Sequence, residues 1–132
     1  MKDPFLHKKF IFNDNINSDF LFSLYEDDFL YIEEIFKTTL DQLGSVVAEV
    51  PVVFENKNFG ELRSIIHKIK PAFGFTGLLK TEEACKQFEN ACMRTSNAEE
   101  LATLYRPLWA LVVESMDIMQ RQYDQLKEFN KP

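Results

Sequence analysis

The chain is poor in the residues that break or cross-link structure. Glycine occurs four times and proline five times in 132 residues. That is too few for the turn-dense hairpins of an all-β fold and, beside 45% hydrophobic residues, for a disordered chain. Cysteine is limited to Cys85 and Cys92. On a helix these lie two turns apart on one face, too far for a disulfide. With no further Cys or His close by they do not outline a zinc site. They read as two small apolar side chains suited to a reducing cytoplasm. A cationic surplus is also missing: 15 Lys and Arg stand against 21 Asp and Glu, for a net charge of -6. Lys8-Lys9 is the one basic cluster, so nucleic acid is excluded as the main partner. No apolar run approaches the roughly 20 residues that span a bilayer. Lys2-Asp3-Pro4 at the start does not lead into the apolar core of a secretory signal. No membrane attachment is expected, and the localisation expected is cytoplasmic.

What is present is helical periodicity and bulk. Thirteen phenylalanines point to a core built on rings, and the length suits a single domain over 1–132. Residues 1–15 read as an irregular N-terminal arm. Phe5, Leu6, Phe10, Ile11 and Phe12 make it too apolar to hang free, so part of it is expected to lie on the body. A short helix is expected near Asp19 to Tyr25. A long helix follows from about Asp27 to Val50, with Phe29, Ile32, Phe36, Leu40, Leu43, Val47 and Val50 on one stripe. Ser23 and Glu26 form a capping box at its start, and Pro51 marks its end. The next helix opens at Asn58, with Glu61 three residues on. Its buried stripe is Leu62, Ile65, Ile66, Ile69 and Phe73. Thr81-Glu82-Glu83 signals another helix, running to Arg94 and burying Ala84, Cys85, Phe88 and Cys92. Ser96-Asn97-Ala98-Glu99 has the form of a capping box and opens a last helix to Phe129. That helix carries the stripe Leu101, Leu104, Leu108, Val112, Met116, Met119, Tyr123 and Leu126, with Pro107 inside it. Four long amphipathic helices with short links predict an all-α fold, an antiparallel four-helix bundle over about 17–129 with a short N-terminal helix and arm.

The chemistry concentrates on the helix that begins at Asn58. The face opposite its apolar stripe carries Gly60, Arg63 or Ser64, His67, Lys70 or Pro71, and Gly74. His67 therefore points away from the core, among small and cationic neighbours. A solvated imidazole titrates near 6.5 and is mostly neutral at cellular pH. It is then a competent covalent nucleophile. Lys70, one turn on, is placed to lean toward a phosphoryl group on His67, and Lys68 and Arg63 add to that positive field. Phosphoryl transfer asks mainly for positioning and charge stabilisation. One histidine with nearby cations suffices for a carrier and not for a kinase. No Gly-rich phosphate loop occurs, so no autonomous kinase activity is expected. The plain alternative is that His67, Lys70 and Arg63 are ordinary solvated side chains. His7, in the arm, is read as incidental.

The segment Ile66-His67-Lys68-Ile69-Lys70-Pro71-Ala72-Phe73-Gly74-Phe75-Thr76-Gly77 resembles the signature of histidine-containing phosphotransfer (HPt) domains. That signature has a histidine, an apolar residue two later, a lysine three later and a glycine ten later: here His67, Ile69, Lys70 and Gly77. The following helix continues it with Cys85, Phe88 and Glu89. Outside about Ile65 to Glu89 the likeness is one of helix order. The resemblance implies that His67 accepts a phosphoryl group from an aspartyl-phosphate in a receiver domain and passes it to an aspartate of a second receiver. Lys70 would stabilise the phosphoryl group. Site shape and docking would fall to Arg63, Ser64, Lys68, Pro71, Gly74 and Gly77, the glycines in steric and turn roles. Cys85, Phe88 and Glu89 would be packing and surface residues that keep the His67 helix in place. The partners implied are receiver domains of a hybrid sensor kinase or response regulator. No cofactor or metal is expected in this chain, magnesium belonging to the receiver, and a monomer is expected. One position departs: the family usually has glycine four residues after the histidine, where this chain has Pro71.

Two rival classes remain at this point. One is a helical interaction module without phosphotransfer, a reading that Pro71 favours. The other is a metalloenzyme in the bundle core. It has carboxylates to draw on (Glu33, Glu34, Glu82, Glu83, Glu99, Glu100) but lacks any Glu-x-x-His pair.

Overall fold

A computed structural model describes residues 9–132. It contains five helices: α1 (Ser18–Tyr25), α2 (Phe29–Glu55), α3 (Phe59–Phe75), α4 (Leu79–Arg94) and α5 (Ala98–Phe129). No strand occurs among the described residues. Three residues connect each helix to the next, and links that short force long neighbours to run antiparallel. The packing closes a ring: α2 on α3, α3 on α4, α4 on α5, and α5 back on α2. The fold is the expected four-helix bundle plus a short N-terminal helix. Among the described residues no helix is long and apolar enough to cross a membrane.

The core follows the apolar stripes. Ile32, Phe36, Leu43, Val47 and Val50 of α2 are buried, as are Leu62, Ile65, Ile66, Ile69 and Phe73 of α3. Each such side chain contributes about 1.5 to 3 kcal/mol by leaving water. Tyr105, not Leu104, takes the inward position near the start of α5; Leu104 is exposed. The Tyr105 ring lies flat on Phe54, with centroids 3.9 Å apart. The buried hydroxyls of Thr81 and Ser115 pair with each other at 2.7 Å.

Several helix boundaries differ from expectation. Pro51 does not end α2, which continues to Glu55. A proline inside a helix costs about 3 kcal/mol, but the extra turn buries Val53 and places Phe54 on Tyr105. Ser23 and Glu26 do not cap α2. Ser23 Oγ donates to the Phe20 carbonyl, and Asp28 is the cap, accepting from the Tyr31 amide at 3.0 Å. Thr81 does not start α4. The helix begins at Leu79 with no side-chain cap, since the residue at the cap position, Leu78, has no acceptor, and the Thr81 hydroxyl, already inside the helix, pairs with Ser115. The cap of α5 is Asn97, one residue after Ser96, accepting from Glu100 N at 2.9 Å. The Asn58 cap stands as expected: its Oδ1 accepts from Glu61 N at 3.1 Å, and the Glu61 carboxylate accepts from its side-chain amide.

The end of α2 carries a strained residue. Lys57 sits in the left-handed region at φ 56, where its amide donates to Phe54 O and the next amide to Val53 O. Glycine is the usual occupant of that position. Lys57→Gly is expected to raise stability by about 0.5 to 1 kcal/mol, read as a higher urea midpoint at constant slope.

The arm lies on the bundle, as far as it is described. Phe10 and Phe12 are buried among Phe22, Phe29, Phe36 and Phe129, while Ile11 stays exposed. Asn13 N donates to the buried Gln122 side chain at 3.0 Å. Phe5, Leu6 and His7 lie outside the described residues.

Candidate functional site

The site is built on the α3–α4 hairpin. α3 ends in a reversal in which Gly77 N donates to Gly74 O and Leu78 N to Phe73 O. This pairing requires a left-handed residue at its centre, and Gly77 supplies it at φ +75. The hairpin then runs back on itself in fixed register. Gly74 faces Glu82, His67 faces Glu89, and the Arg63 charge acts on Cys92. Numbers that fall along α3 as they rise along α4 are the mark of an antiparallel pair.

His67 lies in the middle of α3 with its side chain 71% exposed. Its Nδ1 is 2.5 Å from Oε1 of Glu89. The other Glu89 oxygen accepts from Lys70 Nζ at 2.6 Å. A carboxylate has only acceptor sites, so the shared proton is donated by the ring and Nδ1 is the protonated nitrogen. Nε2 is left with its lone pair directed away from α4. Glu89 itself is buried, and this overturns its assignment to packing or surface. It was recoverable from the sequence by reflection: His67 and Glu89 each lie eleven residues from Leu78, the centre of the hairpin. Cys85 lies beneath this group. Burial first, then the nearby Glu89 charge, pushes its thiol up to about 12, with Lys70 opposing. Cys85 therefore stays a neutral packing group. Both cysteines are free.

The other expected residues fall into three groups. Arg63, Ser64, Lys68 and Pro71 are exposed on the same helix as His67. Lys68 and Pro71 border a shallow groove of about 230 Å³ between α2 and α3, whose apolar wall includes Val46 and Ala72 and reaches the exposed ring of Phe75. α3 continues through Pro71 without interruption. Gly74 is not part of a low exposed surface. It is buried, and a Cβ there would meet the Glu82 carboxylate. Two turns below His67 the first turn of α4 has already come across that face. Gly77 is buried in the reversal, against Ile16 and Leu21 of the arm and α1.

Charge is unevenly shared. α3 carries Arg63, Lys68 and Lys70 against one acid, Glu61, whereas α2 sets Glu33, Glu34, Asp41, Glu49 and Glu55 against Lys37. The exposed imidazole thus sits on a cationic strip of an acidic molecule, which favours an anionic group at that point. Among the described residues no cluster of three or more His, Cys, Asp and Glu side chains is arranged to hold a metal. A concavity of about 840 Å³ lies between the arm, α1 and the start of α2 and includes none of the residues around His67.

Neither a curated protein nor a solved structure matches the chain. A family model, described as Hpt domain, matches residues 31–129, from the first turns of α2 to the last residue of α5. Such domains are phosphocarrier modules of two-component signalling and not autonomous kinases. With an exposed, anchored histidine in mid-helix and a match over most of its length, the chain belongs to the Hpt domain family.

Proposed function

We propose that this chain carries a phosphoryl group on Nε2 of His67, received from the aspartyl-phosphate of one receiver domain and delivered to an aspartate of another. The observation that carries the reading is the bond from Nδ1 of the exposed His67 to the buried Glu89. It fixes the ring and leaves one nucleophilic lone pair on a side chain that is exposed to a partner. Lys70 is the stabilising cation, one turn from His67 and already oriented by Glu89. Arg63, Ser64 and Lys68 supply a polar docking surface around the nucleophile, with Pro71 at its C-terminal edge. Gly77 serves by holding α4, and so Glu89, in register. The receiver supplies magnesium and the remaining catalytic groups. The two free thiols suit a cytoplasmic setting.

The test is incubation of the purified chain with a phosphorylated receiver domain. Wild type is expected to acquire acid-labile, alkali-stable phosphate, and His67→Gln to show only background. Wild type that stays unlabelled by several receivers, with its helical circular dichroism intact, would overturn the proposal. The helical interaction module would then be the better account.

A further inference from the structure

We infer that Glu89 acts chiefly on the outgoing step, by keeping the proton on Nδ1 of His67 while the ring carries phosphate. The inference rests on the proposed phosphocarrier role and assigns a positioning residue within it. In the incoming step the Nε2 lone pair forms the N–P bond, and the P–O bond of the aspartyl-phosphate breaks with its electron pair going to the carboxylate. The ring becomes cationic, its proton still on Nδ1. In the outgoing step an aspartate oxygen attacks phosphorus, the N–P bond breaks, and its pair returns to Nε2. The leaving group is a neutral imidazole. No proton is exchanged with water in either direction.

That balance fails if the phosphorylated ring loses its Nδ1 proton. The leaving group would then be an imidazolate anion, and transfer would slow in proportion to the deprotonated fraction. Glu89 Oε1, 2.5 Å from Nδ1, opposes the loss, because an adjacent anion stabilises the cationic ring. Lys70 on the second oxygen, at 2.6 Å, holds the carboxylate as an acceptor. The Glu89 charge also acts on the two α4 thiols, Cys85 and Cys92, on which Glu82 of α4 and Arg63 of α3 act in turn, Glu82 on Cys85 and Arg63 on Cys92. From α5 comes Tyr105, set against the adjacent Phe88. Burial raises both thiols and the Tyr105 phenol, so none of the three adds a charge at neutral pH. Glu89 is therefore the carboxylate in hydrogen-bond contact with the ring, and the one that can hold its proton.

The variant to use is Glu89→Gln, which keeps an oxygen for Nδ1 and removes the charge. Both proteins are loaded with phosphoramidate, a small phosphoryl donor that needs no receiver. The phosphorylated forms are then mixed with an unphosphorylated receiver domain across a pH series. Wild type is expected to transfer at a nearly constant rate from about pH 6 to about pH 8.5 once the receiver's own dependence is divided out. The variant, which also loses the charge that orients Lys70, is expected to transfer more slowly throughout and, beyond that offset, to fall by up to about tenfold per pH unit toward the alkaline end, the slope of a single-proton step. Nitrogen-15 spectra of the phosphorylated ring should show Nδ1–H retained in wild type and lost in the variant at the alkaline end. Parallel pH profiles and superimposable spectra would overturn the inference while leaving the carrier role intact. Failure of wild type to form phosphohistidine at position 67 would remove the carrier role itself, and the inference with it.

Discussion

Gly77→Ala is expected to lower the unfolding free energy by about 2 to 4 kcal/mol. The first part of the loss is conformational: φ is +75 at this position, and a left-handed backbone costs a residue with a Cβ about 1 to 2 kcal/mol. The second part is steric. An added Cβ would lie 3.0 Å from Ile16 Cγ2, 3.1 Å from Leu21 Cγ and 3.2 Å from the Asn17 carbonyl. Overpacking of this kind costs about 1 to 3 kcal/mol. The carbonyl cannot easily retreat, because the Asn17 amide donates to Gly77 O at 2.9 Å and ties the two segments together. Urea unfolding measures the loss directly. A change below about 1 kcal/mol would mean that the arm shifts away at little cost. The consequence for the site is indirect but definite, since this reversal sets the register that brings Glu89 to His67.

Phe36→Ala is expected to cost about 3 to 5 kcal/mol, the usual range for truncating a buried ring. Phe36 has no exposed surface, and its ring stacks on Phe12 with centroids 6.4 Å apart. It is the point where the arm's aromatic cluster meets the α2 stripe, so the void left behind would be lined by rings that cannot collapse without moving the arm. Against a total stability of about 5 to 15 kcal/mol, the loss is expected to lower the thermal midpoint by on the order of 10 °C. Calorimetry would show it. A drop of only a degree or two would indicate that Phe10 or Phe22 swings into the gap.

These two positions also mark where the sequence was legible and where it was not. Phe36 belongs to a stripe of period 3.6 and is readable as core without any structure. The same holds for Leu62 to Phe73 and for the Asn58–Glu61 cap, where a local bond decides the outcome. Two of the misread boundaries, at Pro51 and Thr81, share one cause: a residue with strong local preference was overruled by a distant partner. Pro51 is outweighed by Val53 and by Phe54 on Tyr105. Thr81 caps nothing: it lies inside a helix that starts at Leu79, with its hydroxyl paired to Ser115 of α5. At the site, the exposure of His67 followed from its position opposite the stripe. The contact with Glu89 needed the hairpin's register, which depends on where Gly77 turns the chain, and Gly74 was misplaced because the approach of α4 is not visible in the periodicity of α3.

On the proposed reading, the exposed position of His67 bears on the direction in which phosphate flows. Among the described residues, none covers His67 so that it would have to move to admit a phosphoryl group at Nε2. On the proposed reading, no conformational free energy is stored on loading or released on unloading. The equilibrium is then set by the difference between two bond types, one in the carrier and one in its partner, by the Glu89 anion beside the loaded ring, and by how much of each partner is present. A carrier of this form imposes no direction of its own: an excess of phosphorylated receiver fills it, and a surplus of unphosphorylated receiver drains it.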